Sequence, residues 1–66
     1  AKDNIIEFYK KIHMLDIDTR EIIYLKIIRN FTFKEISQIL GNNEEWARTK
    51  FYRGKLKLKE SLKDEK

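Results

Sequence analysis

The chain has 66 residues, 15 Lys and Arg against 11 Asp and Glu, a net charge of +4, no Cys, no Pro and two Gly. That is one domain at most, near the lower size limit for folding without staples, and the lack of Cys excludes disulfides and thiolate metal sites. No apolar run approaches the ~18 residues of a membrane span and no signal-peptide pattern is visible, so a cytoplasmic setting without a membrane partner is expected. The chain starts with Ala, and is expected to be one domain (1–66) of a longer protein.

The scarcity of breakers favours helices. The first is predicted over 4–14, where Ile5, Phe8, Tyr9 and Ile12 recur at helical spacing and Asp3 or Asn4 can cap. Residues 15–18 read as a loop whose apolar members, Leu15 and Ile17, plug into the core. The second helix is expected to start at Asp18, because Asp18-Thr19-Arg20-Glu21 is a D-x-x-E capping signature. Its body, Ile22-Ile23-Tyr24-Leu25-Lys26-Ile27-Ile28, is apolar nearly all round. Such a helix is central, or is buried on one side and offered to a partner on the other. Asn30-Phe31 reads as a turn.

Thr32-Phe33-Lys34-Glu35 is a capping box that opens a short helix over 33–40, with Ile36, Ile39 and Leu40 predicted inward. Gly41 follows where the backbone often turns left-handed. Asn42 or Asn43 then caps a last helix over 44–62, with Glu44 and Glu45 in its first turn where the dipole favours them. The tail, 63–66, is polar. A short helix, a three-residue turn and a longer helix predict a helix-turn-helix spanning about 33–62, within an all-α, four-helix fold without a wing.

The last helix concentrates the charge. Residues 46–59 hold six Lys and Arg and no acid, whereas the other positions carry nine bases and eleven acids. Ala47, Phe51, Gly54, Leu58 and Leu62 form one apolar stripe, and Arg48, Thr49, Tyr52 and Arg53 occupy the other side. A helix that buries one stripe and presents Arg, Thr and Tyr on the other suits the major groove of duplex DNA.

Plainer readings compete at several positions. Trp46 reads as a half-buried anchor before a base-contacting ring. Gly54, in mid-helix, reads as close packing before a hinge. His13 reads as a solvated or capping side chain before a ligand or base. The carboxylate pairs Asp16/Asp18 and Glu44/Glu45 are explained by cap and dipole roles. Lys55, Lys57, Lys59 and Lys63 also suit a solvated helix end.

Three segments, Arg20-Glu21-Ile22-Ile23-Tyr24-Leu25, Phe31-Thr32-Phe33-Lys34-Glu35-Ile36-Ser37-Gln38-Ile39-Leu40-Gly41 and Arg48-Thr49-Lys50-Phe51-Tyr52-Arg53-Gly54-Lys55, resemble in order and spacing region four of bacterial sigma factors, the C-terminal DNA-binding domain, and within them the extracytoplasmic-function (ECF) group. The resemblance spans about 15–62. It implies a four-helix domain that reads the −35 element of double-stranded promoter DNA for transcription initiation, as part of RNA polymerase holoenzyme and docked on the flap of the β subunit. An anti-sigma factor is a further partner of such domains. Carried over position by position, Arg48, Thr49, Tyr52 and Arg53 are expected to read bases, and Thr32, Lys34 and Lys50 to hold the backbone. Trp46, Ala47, Lys50 and Gly54 replace the family's usual Thr, Val, Arg and Ala, and Glu44-Glu45 is an unusual pair to face phosphates.

The expectation is therefore sequence-specific promoter recognition with no enzymatic step and no cofactor. The alternatives are the output domain of a dimeric helix-turn-helix regulator, which shares the groove contact, and a protein-interaction module whose basic helix meets an acidic partner.

Overall fold

A computed structural model describes residues 2–64, with side chains described for 3–60. Over these residues the fold is all-helical, with four helices and no strand: α1 (Lys2–His13), α2 (Ile17–Ile23), α3 (Phe33–Leu40) and α4 (Glu44–Asp64). α2 runs on directly into a π-helical turn, Tyr24–Ile28. No helix among the described residues is long and apolar enough to cross a membrane.

α1 begins at Lys2, so Asp3 lies within its first turn, and neither Asp3 nor Asn4 precedes the helix as a cap. Phe8 and Ile12 pack against the core, while Ile5 and Tyr9 of the predicted stripe remain about half exposed.

α2 starts two residues earlier than the D-x-x-E pattern predicts. Its cap is Asp16, whose carboxylate accepts the Thr19 backbone N–H at 3.2 Å and the Thr19 hydroxyl at 2.6 Å. Asp18 is left in the first turn and Glu21 on the surface. Asp16 prevails because Thr19 offers it two donors and Lys50 of α4 adds a third at 3.2 Å. The earlier start also carries Ile17 out of the core into solvent, whereas Leu15 packs as expected. Beyond Ile23 the backbone widens. Arg29 N–H reaches back to the Tyr24 carbonyl at 3.2 Å, a five-residue step. Asn30, with φ 60°, ends the helix, a left-handed position that Asn tolerates better than most residues.

α3 forms as the capping box dictates, with Glu35 N–H to Thr32 Oγ1 at 3.1 Å and Thr32 N–H to Glu35 Oε1 at 2.8 Å. Ile36 is fully buried and Leu40 partly so, but Ile39 is 52% exposed. At about 100° per residue the inward face, shared by Phe33, Ile36, Ser37 and Leu40, leaves Ile39 well outside it. Gly41 adopts φ 72°, and the N–H of Asn42 returns to the Ser37 carbonyl at 2.9 Å. Asn43, not Asn42, caps α4, taking the Trp46 N–H on Oδ1 at 2.7 Å.

The α4 stripe is buried as its spacing predicts: Ala47, Phe51, Gly54 and Leu58 close on Ile22, Ile23 and Ile36. Leu62 lies outside the described side chains. At Gly54 α4 packs directly on Thr19 and Ile23 of α2. A Cβ there would stand 2.5 Å from Thr19 Cγ2 and 3.0 Å from Ile23 Cδ1. Thr19 cannot turn aside without losing its hydroxyl bond to Asp16. Alanine gains about 1 kcal/mol over glycine in a helix, but overpacking costs about 1–3 kcal/mol. Gly54→Ala is therefore expected to destabilise the domain by up to about 2 kcal/mol, about 1 kcal/mol at the middle of the range, in urea denaturation. A stabilised variant would mean that the two helices separate without cost.

Candidate nucleic-acid interface

With one stripe of α4 sealed in the core, the remaining circumference of the helix is surface. Thr49, Tyr52 and Arg53 are all exposed on the side away from the core. Arg48 and Lys50 flank them on opposite edges, Arg48 toward Phe33 of α3 and Lys50 toward the start of α2. Five of the seven predicted site residues thus gather on or beside one helix face. Thr32 and Lys34, both exposed, stand apart at the start of α3.

The side chains differ in readiness. Arg53 is exposed and enters no ion pair or ring contact among the described residues. Arg48 donates to Glu44 Oε2 at 2.7 Å, one turn back, with its guanidinium carbon 5.5 Å from the Phe33 ring centre. Tyr52 is 54% exposed, yet its ring is steadied by Phe33 at 6.1 Å and Phe51 at 5.4 Å. Lys55 lies over both Phe51 and Tyr52, 5.5 and 5.6 Å from their centres. The Thr32 hydroxyl already accepts the Glu35 N–H, leaving its own proton to donate. Trp46 is half-buried against the core, the anchor role expected of it. Glu45 shares a shallow hollow with Trp46, Thr49, Lys50 and Arg53, so one acid faces the centre of the basic surface.

Two features were not foreseen. The Phe33–Phe51–Tyr52 cluster ties the start of α3 to the reading face. Its signal lay in Phe33 and Phe51 each falling on a core stripe, with Tyr52 adjacent. The other is the Asp16–Lys50 pair, which joins the α2 cap to α4 across 34 positions. No local pattern announces it. His13 accepts on Nδ1 from the Arg20 guanidinium at 3.2 Å. Among the described residues no His, Asp and Glu side chains gather in a way that could hold a metal ion.

A second surface is apolar. Between α1 and the α2–π segment runs a groove of about 320 Å³, lined by Phe8, Tyr9, Ile12, Tyr24, Ile27 and Ile28 among others. This agrees with an apolar helix buried on one side and open on the other: Ile22 and Ile23 are almost fully buried, while Tyr24 and Ile27 are about half exposed.

Compared with known proteins, the chain matches no family model, no curated protein and no solved structure.

The Asp16 carboxyl is held at about 2, below its ordinary 3.8. The Thr19 hydroxyl is the main cause, helped by the Thr19 N–H and Lys50 and opposed by partial burial. A carboxyl depressed in the folded state stabilises it once ionised. The contribution is complete above the unfolded value and disappears as pH falls through the folded one. Replacing Asp16 with Ala is expected to cost about 1 kcal/mol at pH 7, in the range of a lost helix cap. The gap from wild type should narrow between pH 4 and pH 2 in urea melts. A gap independent of pH would show that the charge of Asp16 contributes nothing.

Proposed function

We propose that the domain binds duplex DNA through α4 and reads sequence there, with α3, the turn at 41–43 and α4 acting as a helix-turn-helix. The observation that carries this reading is the division of α4. Its apolar stripe is consumed by the core, while Thr49, Tyr52 and Arg53 stand exposed on a helix with six cations and no acid over 46–59. Arg and Thr side chains on one helix face can address base edges in the major groove, and the flanking lysines can address phosphates. Arg53 is the principal reader in this proposal, with Tyr52 and Thr49 beside it. Arg48 joins once it leaves Glu44. A surface i,i+4 pair contributes about 0.3–0.5 kcal/mol, less than the ~1–3 kcal/mol of a bidentate guanine contact, so the exchange is favourable. Lys34 and the Thr32 hydroxyl are assigned to the backbone. Lys50, shared with Asp16, contributes in proportion to its release.

The resemblance to sigma region four gives this binding its setting: recognition of a −35 promoter element by a monomer within RNA polymerase holoenzyme. The apolar groove beside α1 supports that setting, because it leaves a docking face that shares no lining residue with α4. We assign it to the polymerase β flap. A single small module neutralises few phosphates and binds weakly alone. Linkage to a larger assembly supplies the missing affinity by effective concentration. No catalytic step is assigned to the domain.

Selection from randomised duplexes at low salt, with wild type and Arg53→Ala, tests the reading. One short, non-palindromic motif should be enriched. Arg53→Ala should lose about 1–3 kcal/mol on that motif and much less on scrambled duplex. Enrichment of an inverted repeat would favour a dimeric regulator. No enrichment by wild type would end the DNA-reading proposal and leave α4 as a surface for an acidic protein.

A further inference from the structure

The edge of α4 that faces the α1–α2 connection holds a second basic feature that adjoins the reading face at Arg53. Lys50, Arg53 and Lys57 border a polar hollow of about 160 Å³ whose other walls include Asp16, Thr19 and Gly54. The hollow exists because Gly54 brings α2 against α4 and sets the capped start of α2 beside the three cations. One carboxylate faces them, that of Asp16, which already takes Lys50 at 3.2 Å. Lys11 borders the adjoining hollow together with Lys57. The cations fall at i, i+3 and i+7, a span of about 10 Å along the helix at roughly 1.5 Å per residue. That is a strip rather than a point.

We propose that this edge holds phosphate groups of a nucleic-acid strand, and that Asp16 is a built-in competitor that occupies Lys50 until a phosphate replaces it. The inference rests on the DNA reading proposed above and adds to it a strand position and a means of limiting affinity. A strip of three cations suits a polyanion, since a duplex strand carries one charge per ~3.4 Å of axis and can engage several of them at once. A single acidic side chain would satisfy only one. Arg53 borders both this hollow and the one at the reading face, so a duplex seated on Thr49 and Tyr52 passes its backbone along Lys50 and Lys57. The competitor is also placed to be removed without unfolding the domain: Asn caps helices about as well as Asp and accepts the same Thr19 N–H.

The test is the salt dependence of duplex binding, measured by fluorescence anisotropy of a labelled duplex between 50 and 200 mM NaCl. Wild type, Lys57→Ala, Asp16→Asn and Lys10→Ala (a surface cation on α1) are compared, with circular dichroism melts to show that each is folded. Each phosphate neutralised by the protein steepens the slope of log K against log salt by about 0.9. Lys57→Ala should make the slope shallower by about 0.9, Asp16→Asn should bind the duplex more tightly with a slope close to wild type because the same phosphates are engaged, and Lys10→Ala should equal wild type. An unchanged slope for Lys57→Ala, or unchanged duplex affinity for Asp16→Asn, would overturn the proposal. Either result would leave the reading face intact if Arg53→Ala still relaxes sequence preference, so the two failures are separable. Two further results would also overturn it. One is amide shifts at Thr19, Gly54 and Lys57 with inorganic phosphate while the duplex slopes stay fixed, which would make this a site for the free ion. The other is a polyglutamate peptide bound as tightly as the duplex, which would make it a site for acidic protein.

Discussion

The whole arrangement turns on the contact between α2 and α4 at Gly54. A side chain at that position would collide with Thr19 and Ile23, so the helices can approach only because none is there. The approach presses Ile22 and Ile23 against Ala47, Phe51 and Leu58, and those residues with Ile36 make up the buried core. It also fixes the rotation of α4. Once Ala47, Phe51, Gly54 and Leu58 face inward, helical geometry leaves Thr49, Tyr52 and Arg53 outward. The exposed basic face of α4 is thus a consequence of the core. Its orientation needs no contact of its own, which frees Arg53 and Thr49 to be exposed and unengaged.

The same contact links folding to charge. Asp16 caps α2, and the close approach places it within reach of Lys50. Its carboxylate is therefore useful twice, as a partner for Thr19 and as the counter-charge on one edge of a basic helix. Much of its surface stays in water, which limits how strongly the ion pair itself can contribute. The hydrogen bonds from Thr19 are the stronger anchor, and Lys50 is the member most easily drawn away. A stabilising cap and an exchangeable cation meet in one carboxylate.

Most of this fold was legible because most of its signals are local. The Thr32–Glu35 box, Gly41 and the α4 stripe each depend on residues within a turn or two, and each appears where the sequence predicts. One error falls where a distant residue contributes. Asp16 and Asp18 offer competing caps, and Asp16 wins because Thr19 gives it both its N–H and its hydroxyl, with Lys50 on another helix adding to the choice. Ile39 is a different kind of error, since it is predicted inward although the face shared by Phe33, Ile36, Ser37 and Leu40 already leaves it outside, and Phe33 packs on Phe51 from that face at 5.4 Å. The π-turn after Ile23 was invisible, since a run of Ile, Tyr and Leu suits an α-helix or a π-turn equally. Of the candidate site, the exposed trio on α4 was legible from one periodicity. The engagement of Arg48 by Glu44 was available from i,i+4 spacing, and that of Lys50 by Asp16 was not.

The acids at the start of α4 express a conflict between folding and binding. Glu44 and Glu45 stand in the first turn, where the helix dipole favours negative charge by about 0.3–1 kcal/mol each. The same position would meet DNA, where they repel phosphates and where Glu44 holds Arg48 by its guanidinium. A module selected for tight independent binding would place neutral caps there, as Asn43 already does one residue earlier. Together with Asp16 on Lys50, the pattern amounts to three carboxylates set against the basic surface from residues outside 46–59, which itself holds none. If α4 meets DNA as proposed, that distribution lowers affinity for any duplex alike, while Thr49, Tyr52 and Arg53 stay free to tell one sequence from another. Under the proposed reading, weak attachment with retained discrimination suits a domain whose hold on DNA is completed by something else, and the apolar groove beside α1, lined by none of the α4 residues, is the surface proposed for that partner.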